Sequence, residues 1–194
     1  MTPIAGLLLA AESSTALGRA VQLVDVAGRP LLEVVAERMA AWADPLVVVL
    51  GSGAEEVLDG ANLGEAVVLI DYDWEHGLGS SMRVGLDHLS RERVRTPALL
   101  ALGDQPGVTA DLVARLVDAH EGQVTVPVYR YEWGYPMIVD RSQWDRFMSR
   151  GFDPLDIARA HPEWVTEMRC DDRIPRRIRV EADIKEALTR FGAP

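Results

Sequence analysis

Residues 4–10 are apolar without a break, and shorter apolar runs follow at 46–50, 67–70 and 98–102. A fifth stretch, 123–128, is nearly as apolar. Runs of this length without polar alternation fit strands buried on both faces. Between them the spacing turns helical. Leu31, Leu32, Val35, Met39 and Trp42 predict a helix over 30–42, with Pro30 in its first turn. Gly51-Ser52-Gly53 opens a second helix, 80–89 reads as a third, and Thr109 caps a fourth that runs to His120. Beyond residue 130 the pattern loosens into a short strand at 136–139, helices at 141–149 and 155–160, an edge strand at 164–169 and a closing helix at 182–191.

This alternation of strand and helix predicts an α/β fold: a mostly parallel sheet with helices on both faces, three layers deep. No internal repeat, low-complexity tract or Gly/Ser linker interrupts it, so residues 1–194 are expected to form one domain. Turn-rich spots such as Asp59-Gly60 and Gly151-Phe152-Asp153-Pro154 read as loops within it.

Charge and cysteine content narrow the partners. The net charge of −10 argues against nonspecific nucleic-acid binding and against anionic membranes. No apolar run reaches about 18 residues, so no spanning helix is expected. Cys170 is the only cysteine, which excludes an intrachain disulfide and fits a cytoplasmic protein. His76, His88, His120 and His161 share no metal-ligand spacing, so zinc is not expected. Lys185 is the only lysine, so no lysine lies near the loop after the first strand.

That loop carries the candidate chemistry. In open α/β sheets, ligands sit beyond the carboxyl ends of the strands. Here Leu9-Ala10-Ala11-Glu12-Ser13-Ser14-Thr15-Ala16-Leu17-Gly18 leaves the first strand and enters a helical segment. The stretch resembles the start of the molybdenum cofactor guanylyl- and cytidylyltransferases, MobA-like members of the sugar-nucleotidyltransferase superfamily. Their signature is L-A-A-G-x-S-x-R-x-G-x-x-K-x-L. Leu9, Ala10, Ala11, Ser14, Gly18 and Leu23 match it, whereas Glu12 replaces the glycine, Ala16 the arginine and Val21 the lysine. Trp74, Gly77, Ser81 and Gly85 match W-x-x-G-x-x-x-S-x-x-x-G, and Gly103-Asp104-Gln105-Pro106 and Gly134-Tyr135-Pro136 match two further motifs, the second with Tyr135 for a histidine. The resemblance spans nearly the whole chain. It implies a Rossmann-like three-layer fold of the nucleotide-diphospho-sugar transferase type.

It also implies a site. Leu9, Ala10, Ala11, Ser14, Gly79, Ser80 and Ser81 would bind a nucleoside triphosphate or related small molecule. Asp104 would act in catalysis by holding Mg²⁺, a hard cation that takes oxygen ligands. Gly134, Tyr135 and Pro136 would lie by the acceptor. The three replacements work against an anion: a carboxylate about 4 Å from one phosphate charge costs roughly 4 kcal/mol at an effective dielectric near 20. The family's closing D-x-D-T-P-E-D corresponds to Arg177-Ile178-Arg179-Val180-Glu181-Ala182-Asp183, with arginines at both leading aspartates. Arg176, Arg177 and Arg179 would then either pair with Glu12 or Asp104 in place of a metal, or form a solvated basic edge. Arg19 either reaches toward the loop or is solvated.

Three readings follow. The first is a diverged nucleotidyltransferase, with Mg²⁺ and a molybdopterin-type acceptor. The second is a catalytically inactive descendant serving as a binding or assembly module for a protein partner. The third, an oxidoreductase, follows a label that some relatives carry; no G-x-G-x-x-G fingerprint supports it, and it ranks last.

Overall fold

In a computed structural model, which describes residues 4–13, 15–171 and 173–191, the chain forms an α/β structure around one mixed sheet. An interior strand is β1 (Ala5–Ala10), buried along its whole length. The segment 25–30 then forms a small antiparallel hairpin, β2 (Asp25–Val26) and β3 (Arg29–Pro30), which the hydrophobic pattern does not reveal. Pro30 closes that hairpin, and helix α1 (Leu31–Ala40) starts one residue later than expected. The expected β–α alternation continues through β4 (Leu46–Leu50), α2 (Ala54–Gly60), β5 (Val67–Ile70), α3 (Leu78–Arg91), β6 (Ala98–Leu102), α4 (Ala110–Asp118) and β7 (Val124–Tyr129). Thr109 caps α4 as predicted: its hydroxyl accepts the Leu112 N–H at 3.3 Å.

After β7 the chain turns back at once. Too few residues separate it from the next strand for a crossover, so the return is antiparallel. It comprises β8 (Glu132–Trp133) and β9 (Met137–Val139), followed by α5 (Trp144–Arg150), α6 (Pro154–Ala160), β10 (Val165–Cys170) and α7 (Glu181–Phe191). The strand order is β10-β7-β9-β6-β1-β4-β5. Only β8 and β9 run against the others.

The register of the return strand creates a feature near the site. Val128 faces Trp133 and Val124 faces Val139, so four steps along β7 correspond to six along the return. The surplus is a bulge at Gly134, Tyr135 and Pro136.

Two cores flank the sheet, and β1 feeds both. Leu8 and Ala10 face α1, α2 and α4, packing with Leu31, Leu32, Leu50 and Leu116. Leu7 and Leu9 face α3, α5 and α6, packing with Met82, Leu86, Trp144 and Phe147. A strand buried on both faces needs apolar side chains at every position, which is why its sequence shows no alternation. Helix α3 crosses β1 closely enough that a Cβ on Gly85 would stand 2.1 Å from Leu7 Cδ1. Among the described residues, no helix is long and apolar enough to cross a membrane.

Candidate active site

The carboxyl ends of β1, β5 and β6 lie along one edge of the sheet, and their loops enclose a cleft of about 380 Å³. The loop after β1 contributes Glu12, Ser13, Ala16 and Val21; the loop after β5 contributes Trp74, Glu75 and Gly77; the turn after β6 contributes Asp104. The last wall is the extended segment between β10 and α7, which brings Arg177, Ile178 and Arg179. Two backbone-level contacts hold that segment in place. Ile178, buried, donates its N–H to the Asp104 carbonyl at 2.9 Å, and Gln105 Nε2 donates to the Pro175 carbonyl at 2.8 Å.

Arg177 crosses the floor of the cleft. Its Nε donates to both carboxylate oxygens of Asp104, at 3.0 and 2.7 Å, while a terminal nitrogen donates to Glu12 Oε2. Burial pushes the Asp104 carboxyl above its ordinary value, and the adjacent guanidinium only partly opposes this. Burial also pulls Arg177 toward its neutral form, but the charges of Asp104 and Glu12 outweigh it and hold the guanidinium above its ordinary value. Arg179 also faces this cleft and draws Asp104 toward the charged form more weakly than Arg177 does. Arg176 turns to α7 instead, pairing with Glu186 at 2.7 Å and Asp183 at 3.3 Å.

A second cleft of about 700 Å³ adjoins the first, walled by the β7–β8 turn, Gly134 and Tyr135 of the bulge, and the 173–177 segment. Tyr129, Tyr131, Trp133 and Tyr135 give it aromatic walls, and Arg130, Arg173 and Arg176 line it. Tyr135 is buried, and its hydroxyl donates to Asp153 Oδ1 at 3.1 Å. Burial, and then the Asp153 charge, raise the Tyr135 phenol well above its ordinary value, so it stays protonated across the physiological range. Among the described residues, Arg177 alone lines both clefts.

The sequence model of the MobA-like NTP transferase domain matches residues 6–153. The chain belongs to that family. A relative named nicotine blue oxidoreductase, from Paenarthrobacter nicotinovorans, is 33% identical over 147 residues, 71% of this chain and 71% of its own. Among solved structures, Rv0371c from Mycobacterium tuberculosis H37Rv superposes with a TM-score of 0.85 at 27% identity, covering 97% of this chain and 98% of that one. The same protein in complex with manganese gives 0.80 at 26% identity, covering 97% and 99%. A nucleotidyl transferase from Methanothermobacter thermautotroptrophicus, 19% identical with a TM-score of 0.81 over 97% of each chain, shares the fold.

Seen as a MobA-like domain, the expected site residues separate into three groups. Glu12, Ala16 and Val21, the replaced clamp positions, converge on the smaller cleft with Asp104. Gly134 and Tyr135 line the larger one, while Pro136 is buried beside it. The third group is interior. Leu9, Ala10 and Ala11 are buried, and their carbonyls accept from Gly103 N, Gln22 Nε2 and Ser52 N at 2.8, 2.6 and 2.9 Å. Gly79 packs against the Gly151–Phe152 backbone, where a Cβ would stand 2.2 Å from the Gly151 carbonyl oxygen. Ser80 and Ser81, also buried, donate to Asp71 Oδ1 and Oδ2 at 3.0 and 2.8 Å, so both hydroxyls are turned away from the cleft. Ser14 lies outside the described residues. Arg19 pairs with Glu181 at 2.8 Å on the surface and does not line the cleft.

Two supporting residues escape the sequence reading. Asp71, 2% exposed, receives the two serine hydroxyls and the Asp73 N–H, fixing the start of α3. A carboxylate there also complements the helix N-terminus. Gln22, 3% exposed, ties down the β1 loop through the Ala10 carbonyl at 2.6 Å and the Glu12 carbonyl at 3.3 Å. Asp71 carries a positional signal, since it directly follows the apolar run 67–70 at a strand end, as Asp104 follows 98–102.

Proposed function

We propose that this MobA-like protein binds a small molecule without transferring a nucleotide, and serves as a binding or assembly module. One observation supports the reading most strongly: Glu12, Ala16 and Val21 all line the smaller cleft. Nucleotidyl transfer depends on positioning anionic groups and stabilising the charge that develops between them. At those three positions a carboxylate, a methyl and an isopropyl group supply neither. The aromatic-walled cleft of about 700 Å³ has the size of an ordinary small-molecule site. A relative named for nicotine blue rather than for a nucleotide agrees with an organic ligand there.

The second reading is metal-dependent nucleotidyl transfer to a molybdopterin-type acceptor. It is favoured by Asp104 at the end of β6 and by the manganese complex of Rv0371c. Calorimetric titration with GTP, CTP and ATP, each with and without Mg²⁺, separates the two. The proposal expects no metal-dependent heat from any of them. Micromolar, Mg²⁺-dependent binding of one nucleotide overturns it and names the donor.

A further inference from the structure

A resident divalent cation does not fit the residues of the smaller cleft. Among the described residues, no three His, Cys, Asp or Glu side chains converge to hold a metal ion. The two carboxylates that do converge, Glu12 and Asp104, are spanned by one guanidinium. We infer that Arg177 is a built-in cation that has taken the place of the divalent metal, so that the two carboxylates that would hold a metal are already engaged from within the chain.

The geometry carries this in three steps. First, Arg177 engages Asp104 through Nε, which meets both carboxylate oxygens, and Glu12 through a terminal nitrogen. A metal approaching Asp104 would meet oxygens already shared with a cation. Second, the position is enforced from the backbone. Neighbouring Ile178 is 1% exposed and its N–H is held by the Asp104 carbonyl, so Arg177 is fixed beside the very residue it neutralises. Third, the pair is shielded, with side-chain exposures of 20% for Arg177 and 10% for Asp104. Charges so placed attract far more strongly than surface pairs do. A metal would therefore have to displace a half-buried cation from the carboxylate that it shares.

The inference rests on the reading that nucleotidyl transfer has been given up, yet it can fail separately. Its probe is Mn²⁺ alone, with no nucleotide present. Electron paramagnetic resonance counts free Mn²⁺ over the folded wild type, Arg177→Gln, Arg177→Lys and Arg177→Gln/Asp104→Asn, with circular dichroism checking each fold. Arg177→Gln is expected to bind Mn²⁺ at least tenfold more tightly than wild type. Arg177→Lys, which keeps a cation, should stay near wild type, and the double variant should lose the gain. A folded Arg177→Gln without the gain overturns the inference.

A second measurement needs only the wild type. Mn²⁺ should leave the amide resonances of Glu12, Ser13, Asp104 and Gln105 unbroadened. Selective broadening of those amides overturns the inference even if no nucleotide ever binds, whereas nucleotide binding without it removes only the functional reading.

Discussion

Arg177 Nε lies 3.0 and 2.7 Å from the two carboxylate oxygens of Asp104, a residue 73 positions earlier in the chain. The contact joins the last strand-to-helix connection to the turn after a central strand. It makes the charge state of Asp104 a property of the whole fold rather than of its own loop.

The pH dependence of stability follows from Asp104. Burial raises its carboxyl above the ordinary value. The native state therefore holds this proton more tightly than the unfolded chain does. The group's contribution is fully present below the unfolded value, near 4, and is lost as pH rises through the raised folded value. Asp104→Asn removes that decline. Melting temperatures compared at about pH 4.5 and 7 should show the variant gaining on wild type as pH rises, whatever the constant offset from an Arg177 left with Glu12 alone.

Restoring the phosphate clamp should restore anion binding. Glu12→Gly with Ala16→Arg and Val21→Lys removes one carboxylate and adds two cations at positions lining the same cleft. At about 1.4 kcal/mol per tenfold, even modest gains at each position raise nucleotide affinity at least tenfold. Calorimetry on the triple variant checks this; unchanged affinity would mean that the cleft no longer admits a nucleotide.

Asp71 is the acceptor for two buried hydroxyls. Asp71→Ala leaves Ser80 and Ser81 without their partner, at a cost of about 1–3 kcal/mol for each unsatisfied group. Urea unfolding should show the loss. The Ser80→Ala/Ser81→Ala/Asp71→Ala combination should recover part of it, because the stranded polar groups are then gone.

Two glycines in α3 test close packing. A Cβ at Gly79 meets the Gly151 carbonyl oxygen at 2.2 Å, whereas one at Gly85 meets the end of the Leu7 side chain at 2.1 Å. Leu7 can shift within the core, but a backbone carbonyl cannot easily do so. Gly79→Ala is thus expected to destabilise more than Gly85→Ala, which should fall near the 1–3 kcal/mol typical of overpacking (an order-of-magnitude range). Denaturant midpoints of the two variants give the comparison.

The layers were legible because β1, β4 and β6 are buried on both faces and their sequences are correspondingly uninterrupted. The hairpin at 25–30 was not, because two-residue strands leave no periodicity to detect. Nor was the direction of β9, since three apolar residues fit either orientation. At the site, motif spacing picked out Glu12, Ala16, Val21 and Asp104, and the fold brings all four to the wall of the smaller cleft. Spacing could not distinguish a serine hydroxyl facing a ligand from one facing Asp71, because both arrangements leave the same letters. The arginine cluster was legible only as alternatives. Which of Arg176, Arg177 and Arg179 meets Asp104 depends on the path of an irregular segment, fixed by Ile178 and Pro175 through contacts far away in sequence.

The segment that carries Arg177 follows every strand of the sheet in chain order. During synthesis, amino-terminal parts of a chain form before later ones have emerged. Glu12 and Asp104 are therefore made, and their strands can pair, before the residue that bridges them exists outside the ribosome. For that interval the nascent protein carries two carboxylates without the cation that later spans them.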